Sequence, residues 1–76
     1  MSTTTRLLEL AAEHFSVALG ELAADDDFYD RLGIDSLQAL EFLSELEMEF
    51  DVEIPDYELQ GVRTFRALAE QIDKRR

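Results

Sequence analysis

Asp35-Ser36-Leu37-Gln38-Ala39-Leu40-Glu41-Phe42-Leu43-Ser44-Glu45-Leu46-Glu47-Met48-Glu49-Phe50 is the stretch on which the fold turns. Asp35 can accept a bond from the exposed amides at a helix start, and Gln38, three residues on, can return one to the backbone, as in a capping box. The pattern predicts a helix from Asp35–Ser36 to about Asp51. At 100° per residue, Ala39, Phe42, Leu43, Leu46 and Phe50 share one arc, with Leu40 at its edge, and this is the core face. Leu37, Glu41, Ser44 and Met48 form a second stripe, with Glu45 close beside it. Single exposed apolar residues are ordinary. Apolar anchors interleaved with carboxylates also suit a docking strip, where burial gives affinity and charge gives steering and register.

Downstream, Val52–Ile54 is expected to be extended ahead of Pro55, which disfavours helix in the residue before it. Asp56–Gln60 reads as a short helical turn ended by Gly61. Thr64 is placed to cap a last helix whose Phe65, Leu68, Ala69 and Ile72 face inward. Lys74, Arg75 and Arg76 follow at its C-terminal end, where the helix dipole favours positive charge. Upstream, Glu21–Gly33 reads as a long loop, which a domain this small must tie to its core, with Phe28 and Leu32 as apolar pegs. Before it, Leu8, Ala11, Phe15 and Leu19 recur at helical spacing in a segment from about Arg6 to Leu19, stopped by Gly20. No strand pattern is present. The expected fold is an all-α four-helix bundle of three longer helices and one short one, in a single domain over residues 1–76.

Composition bounds the function. The chain has 76 residues, 46% of them hydrophobic, no cysteine and a single histidine, His14. That suffices for one small core, not for an enclosed catalytic cleft, and it excludes disulfides and thiolate metal sites. No metal ligands are expected. Counting from Asp25, the Asp25-Asp26-Asp27 run fails the calcium-loop pattern, with Asp30 at the sixth position and Ser36 at the twelfth. Weak association of divalent cations with these acids is still expected. The net charge is −11, concentrated between Glu21 and Glu58, where fourteen acids face one base, Arg31, leaving the ends slightly positive. Such a field repels nucleic acid and anionic membranes and attracts basic protein surfaces. With no membrane-length apolar run and no signal-peptide pattern, a soluble, cytoplasmic protein is expected; it is also expected to be a monomer.

Ser36 stands at the helix start, where a serine commonly serves only as a cap. As a conventional nucleophile it is poorly equipped, since His14 belongs to another helix and no Gly-x-Ser-x-Gly elbow surrounds it. A phosphate, by contrast, suits the free amides and dipole of a helix start, although Asp35 opposes it.

The run Leu32-Gly33-Ile34-Asp35-Ser36-Leu37 resembles the Leu-Gly-x-Asp-Ser-Leu signature of acyl carrier proteins. Phe28 before it, the helix through Leu46-Glu47 and Glu49-Phe50, Val52-Glu53-Ile54-Pro55-Asp56, and the segment Phe65 to Ile72 extend the resemblance from Leu7 to Ile72. It implies a free-standing, non-catalytic carrier. Ser36, flanked by Asp35 and Leu37, would accept a 4'-phosphopantetheine arm from coenzyme A through a separate phosphopantetheinyl transferase using magnesium. The arm's thiol would then carry acyl groups as thioesters for a ketosynthase, an acyltransferase or other acyl-processing enzymes with basic docking surfaces. The docking positions it implies are Leu37, Glu41, Glu47 and Met48, to which the stripe adds Glu45. Carriers of fatty acid synthesis often place acids where Gln38, Met48 and Tyr57 stand here, so the resemblance leans toward a polyketide or other secondary-metabolite pathway. Ile34, where peptidyl carriers usually have glycine, leans away from amino-acid carriers of the peptidyl or D-alanyl type. The competing class is an acidic helical adaptor that docks without being modified.

Overall fold

The computed structural model describes residues 2–76. Among these residues four α-helices run in the order α1 (Thr3–Phe15), α2 (Phe28–Leu32), α3 (Ser36–Phe50) and α4 (Phe65–Asp73), with 3-10 turns at Leu19–Glu21 and Asp56–Leu59. There is no strand among the described residues, only an isolated antiparallel bridge between Asp27 and Thr64. The expected count of three longer helices and one short one holds. The short α-helix, however, is Phe28–Leu32, inside what the sequence reads as loop, while the expected turn after Pro55 is 3-10.

Side chains set each helix start. Ser2 Oγ accepts the Thr5 amide, Asp27 accepts those of Tyr29 and Asp30, Asp35 that of Gln38, and Thr64 that of Ala67. The capping box at α3 is complete, because Gln38 also accepts the Asp35 amide. Three helix ends share one device. Ser16, Gly33 and Asp51 take left-handed backbone with φ of 57°, 64° and 55°, so that two successive amides close on one carbonyl of the preceding turn. The residue after each is β-branched and apolar: Val17, Ile34 and Val52 all pack on the core. Packing of that next side chain on the core, Val52 buried and Val17 half-buried, accounts for a left-handed Ser16 and Asp51, which lack glycine's freedom there.

The first helix thus ends at Ser16, four residues before the expected Gly20. Its buried stripe is Leu7, Leu10 and Ala11. Leu8 and Phe15 are half-buried, and Leu19, beyond the helix, is exposed. On α3, Phe42, Leu43 and Leu46 are buried, Ala39 and Phe50 half-buried, and Leu40 exposed, close to the arc read from the sequence. On α4, Phe65, Leu68, Ala69 and Ile72 are all buried, as expected.

Leu7, Leu46, Phe65 and Ile72 are fully enclosed at the centre. Each such side chain contributes about 1.5–3 kcal/mol by leaving water. Around them α1 packs against α4 and α3. The loop before α2 is tied down twice by buried apolar groups, at Leu22 and at Phe28. Backbone bonds from Phe28 N to Arg63 O (2.8 Å) and Arg66 N to Ala24 O (2.8 Å) then join it to the start of α4. Two of the three C-terminal cations also find partners: Arg75 donates to the Gln71 carbonyl, and Arg76 donates to Thr3 Oγ1 and lies over the Phe50 ring.

Candidate functional site

Ser36 is the first residue of α3 and is exposed. The capping box employs the Asp35 and Gln38 amides. The Ser36 and Leu37 amides, without intrahelical partners at a helix start, face outward with the dipole behind them. Among the described residues the Ser36 hydroxyl has no hydrogen-bond partner. The turn that presents it depends on Gly33, whose left-handed backbone ends α2 and starts the reversal into α3.

Two concavities meet at this serine. One is an apolar groove of about 280 Å³ running from Ser36 between α2, α3 and the 3-10 turn after Pro55, with Phe28, Ala39, Leu43, Leu59 and Leu68 among its walls. The other is more open and more polar than the first, and adds Asp35, Gly61 and Arg63. Tyr29, Ser36, Leu59 and Val62 border both. The sequence singled out none of Tyr29, Leu59, Val62 or Arg63 for this place. They reach it from α2 and from the segment before α4, and local pattern does not report contacts over such separations.

The residues of the α3 stripe come to lie on its outer face. Leu37 is 65% and Met48 82% exposed, among the most exposed large apolar side chains. Glu41 and Ser44 are exposed beside them. The four glutamates of α3 differ in what they touch. Glu45 pairs with His14 Nδ1 of α1, which sits against the Phe15 and Phe42 rings. Glu49 pairs with Arg6 at 3.3 Å. Glu47 Oε2 accepts the Ile54 amide at 2.8 Å and so holds the chain where it leaves α3. Glu41 alone of the four has no hydrogen-bond or ion-pair partner among the described residues. Tyr57, 70% exposed, lies in the 3-10 turn beside the groove.

The Asp25-Asp26-Asp27 run is engaged with arginines. Asp25 meets Arg66 Nε at 2.7 Å, Asp26 meets Arg31 Nε at 3.2 Å, and Asp27 meets Arg63 Nε at 2.6 Å. The Arg66 guanidinium holds the Asp25 carboxyl below its ordinary range, and Arg63 does the same for Asp27, whose bonds from the Asp30 and Tyr29 amides act in the same direction. No cluster of His, Asp or Glu suited to a metal occurs among the described residues. No helix among them is long and apolar enough to cross a membrane.

Comparison with known proteins agrees with this architecture. The phosphopantetheine attachment site family matches residues 5–72. An acyl carrier protein of Prochlorococcus marinus is 39% identical over 59 residues, which cover 78% of this chain and 74% of that protein. The solved structure of an acyl carrier protein from Enterococcus faecalis, studied for its high thermal stability, superposes over the whole of both chains with a TM-score of 0.79 at 25% identity. Acyl carrier proteins are carriers, not catalysts; they bear phosphopantetheine and work with phosphopantetheinyl transferases and acyl-processing enzymes. The family match over residues 5–72, with a relative 39% identical over most of the chain, leads to one conclusion: the chain belongs to the acyl carrier protein family, whose shared domain is a phosphopantetheine attachment site.

Proposed function

We propose that Ser36 is the residue that takes the phosphopantetheine arm, and that the 76 residues act as one carrier domain. The observation that carries this is the exposed Ser36 hydroxyl at the first position of α3, where the apolar groove and the polar concavity meet. The residues present fit the group. The hydroxyl is unengaged among the described residues, the neighbouring amides favour a phosphodiester, and the groove can take the apolar part of an arm or its cargo. Ser36 supplies the oxygen of the new phosphodiester while 3',5'-ADP leaves coenzyme A, and the hydroxyl proton passes to the transferase. Bound there, the arm supplies a thiol, absent from the sequence itself, that holds acyl groups as thioesters. Asp35 fixes the helix start through its cap. Leu37 stands next to the serine on the outer face.

Partner enzymes dock, in this reading, on α3 through Leu37, Glu41 and Met48, with Glu45 and Glu47 contributing from positions already engaged with His14 and the Ile54 amide. Exposed apolar anchors beside an unpartnered carboxylate support this, since such a surface gives steered, short-lived contact with basic enzymes such as a ketosynthase or an acyltransferase. The exposed Met48 and Tyr57, where fatty-acid carriers often present acids, support service in a polyketide or other secondary-metabolite pathway. In this reading the carrier works as a cytoplasmic monomer.

The test is incubation with coenzyme A and a broad-specificity transferase, followed by intact-protein mass spectrometry. The wild type gains one phosphopantetheinyl group and Ser36→Ala gains none. An unmodified wild type beside an active control carrier leaves the unmodified adaptor as the better reading.

A further inference from the structure

A phosphodiester on Ser36 adds a negative charge next to the Asp35 carboxylate, on a chain that already carries −11. Of the residues bordering the polar concavity, Arg63 is the one base. Its position is fixed from two sides. Its carbonyl accepts the Phe28 amide at 2.8 Å, and its guanidinium lies 4.9 Å from the centre of the Tyr29 ring, which itself borders the concavity. Only Nε is engaged, with Asp27 Oδ2 at 2.6 Å. The two terminal nitrogens, with four N–H donors, have no hydrogen-bond partner among the described residues. A planar guanidinium offers a carboxylate and a phosphate separate donors at once.

Resting on the reading of Ser36 as the attachment point, we propose that Arg63 is the positioning residue for the arm's phosphodiester, binding it through its terminal nitrogens while Nε stays on Asp27. The consequence is a chain of contacts from the loop to the arm: Asp27, Arg63, then the phosphate on Ser36. Loading would thereby order the start of the arm over the Tyr29 side of the serine and leave the outer α3 face clear. Arg31 and Arg66 pair with Asp26 and Asp25 but do not border the concavity, so they serve as internal controls.

The experiment uses apo-protein and protein whose loading has been verified by mass, compared by 1H–15N spectra of the arginine Nε–Hε groups and by 31P spectra. Arg63→Gln assigns the Arg63 signal by its disappearance. On loading, the Arg63 signal is expected to move more than those of Arg31 and Arg66. The 31P signal of loaded Arg63→Gln is expected to differ from wild type, Arg63→Lys to restore most of the difference, and about 1 M salt, where screening acts within about 3 Å, to shrink it. Asp27→Asn, which frees Nε, keeps the response to loading and so separates phosphate binding from the loop pair. An Arg63 signal that moves no more than the two controls in verified loaded protein, or a 31P signal indifferent to Arg63→Gln, overturns the inference while leaving Ser36 as the attachment point. Failure of the wild type to load, by mass, overturns both.

Discussion

Two acidic regions of this molecule carry the same sign of charge and put it to opposite uses. In Asp25–Asp27 every carboxylate meets an arginine, two of them from the segment just before and within α4. On the outer face of α3, Glu41 stands without a partner among the described residues, between the exposed Leu37 and Met48. The first region spends its charge inside the molecule, fastening a loop beneath which Phe28 is buried. The second keeps it available to other molecules. Net charge alone does not distinguish them, because two of the three basic partners of the first, Arg63 and Arg66, are distant in sequence and invisible to a count along the segment.

The sharpest contrast lies in the apolar residues of the two regions. Phe28→Ala should destabilise by about 3–5 kcal/mol, the usual cost of emptying an aromatic site in a core. Met48→Ala should stay within about 0.5 kcal/mol, as a surface change does. Denaturant unfolding of both variants measures the difference, and equal costs would erase the distinction between the regions. Glu41→Lys should slow association with a basic partner enzyme by about tenfold at low salt, with little change in stability. Stopped-flow rates at two salt concentrations check this, since the effect must shrink as screening grows. An unaltered rate at low salt removes Glu41 from the docking face.

Asp35→Ala should cost about 1 kcal/mol through loss of the α3 cap, and Asp35→Asn much less. Thermal or denaturant unfolding separates the two variants. The smallest effect is on acid stability. The Asp25 and Asp27 carboxyls titrate below their ordinary 3.8 in the folded protein because arginines hold them charged. Their contribution is therefore complete above that ordinary value. It fades as pH falls from there through the lower folded-state values, because the unfolded chain takes up protons first. Asp27→Asn should flatten part of this decline relative to wild type, measured by unfolding at a series of pH values. Identical profiles would show that the Asp27–Arg63 pair adds nothing to stability.

The helices with whole turns and side-chain caps were legible from residues alone. Asp35 and Gln38 announce α3, and Thr64 with Phe65, Leu68, Ala69 and Ile72 announces α4. The resemblance around Leu32–Leu37 supplied the family, which physical pattern could not. Helix α2 escaped because five residues make little more than one turn, too few for periodicity to register, although Asp27 and Gly33 are its caps. The end of α1 escaped because Ser16 takes a left-handed conformation that favours glycine, held there by packing of the half-buried Val17 on the core. The rotation of the α1 core face to Leu7 and Leu10 follows from a run in which residues 7, 8, 10, 11, 12 and 15 are all apolar, so that adjacent stripes compete. Arg63 was unreadable as a neighbour of Ser36, because 27 positions separate them in the chain and only the fold brings them to one concavity.

The most direct measurement is tandem mass spectrometry of the tryptic peptide running from Leu32 to Arg63 after loading with coenzyme A. That peptide holds two serines, Ser36 and Ser44, and the Ser44 hydroxyl is engaged with the Leu40 carbonyl at 3.2 Å. Fragments that contain Ser36 without Ser44 should carry the added phosphopantetheinyl mass. Finding it only on fragments that contain Ser44, or on a different peptide, would contradict the assignment of the arm to the start of α3.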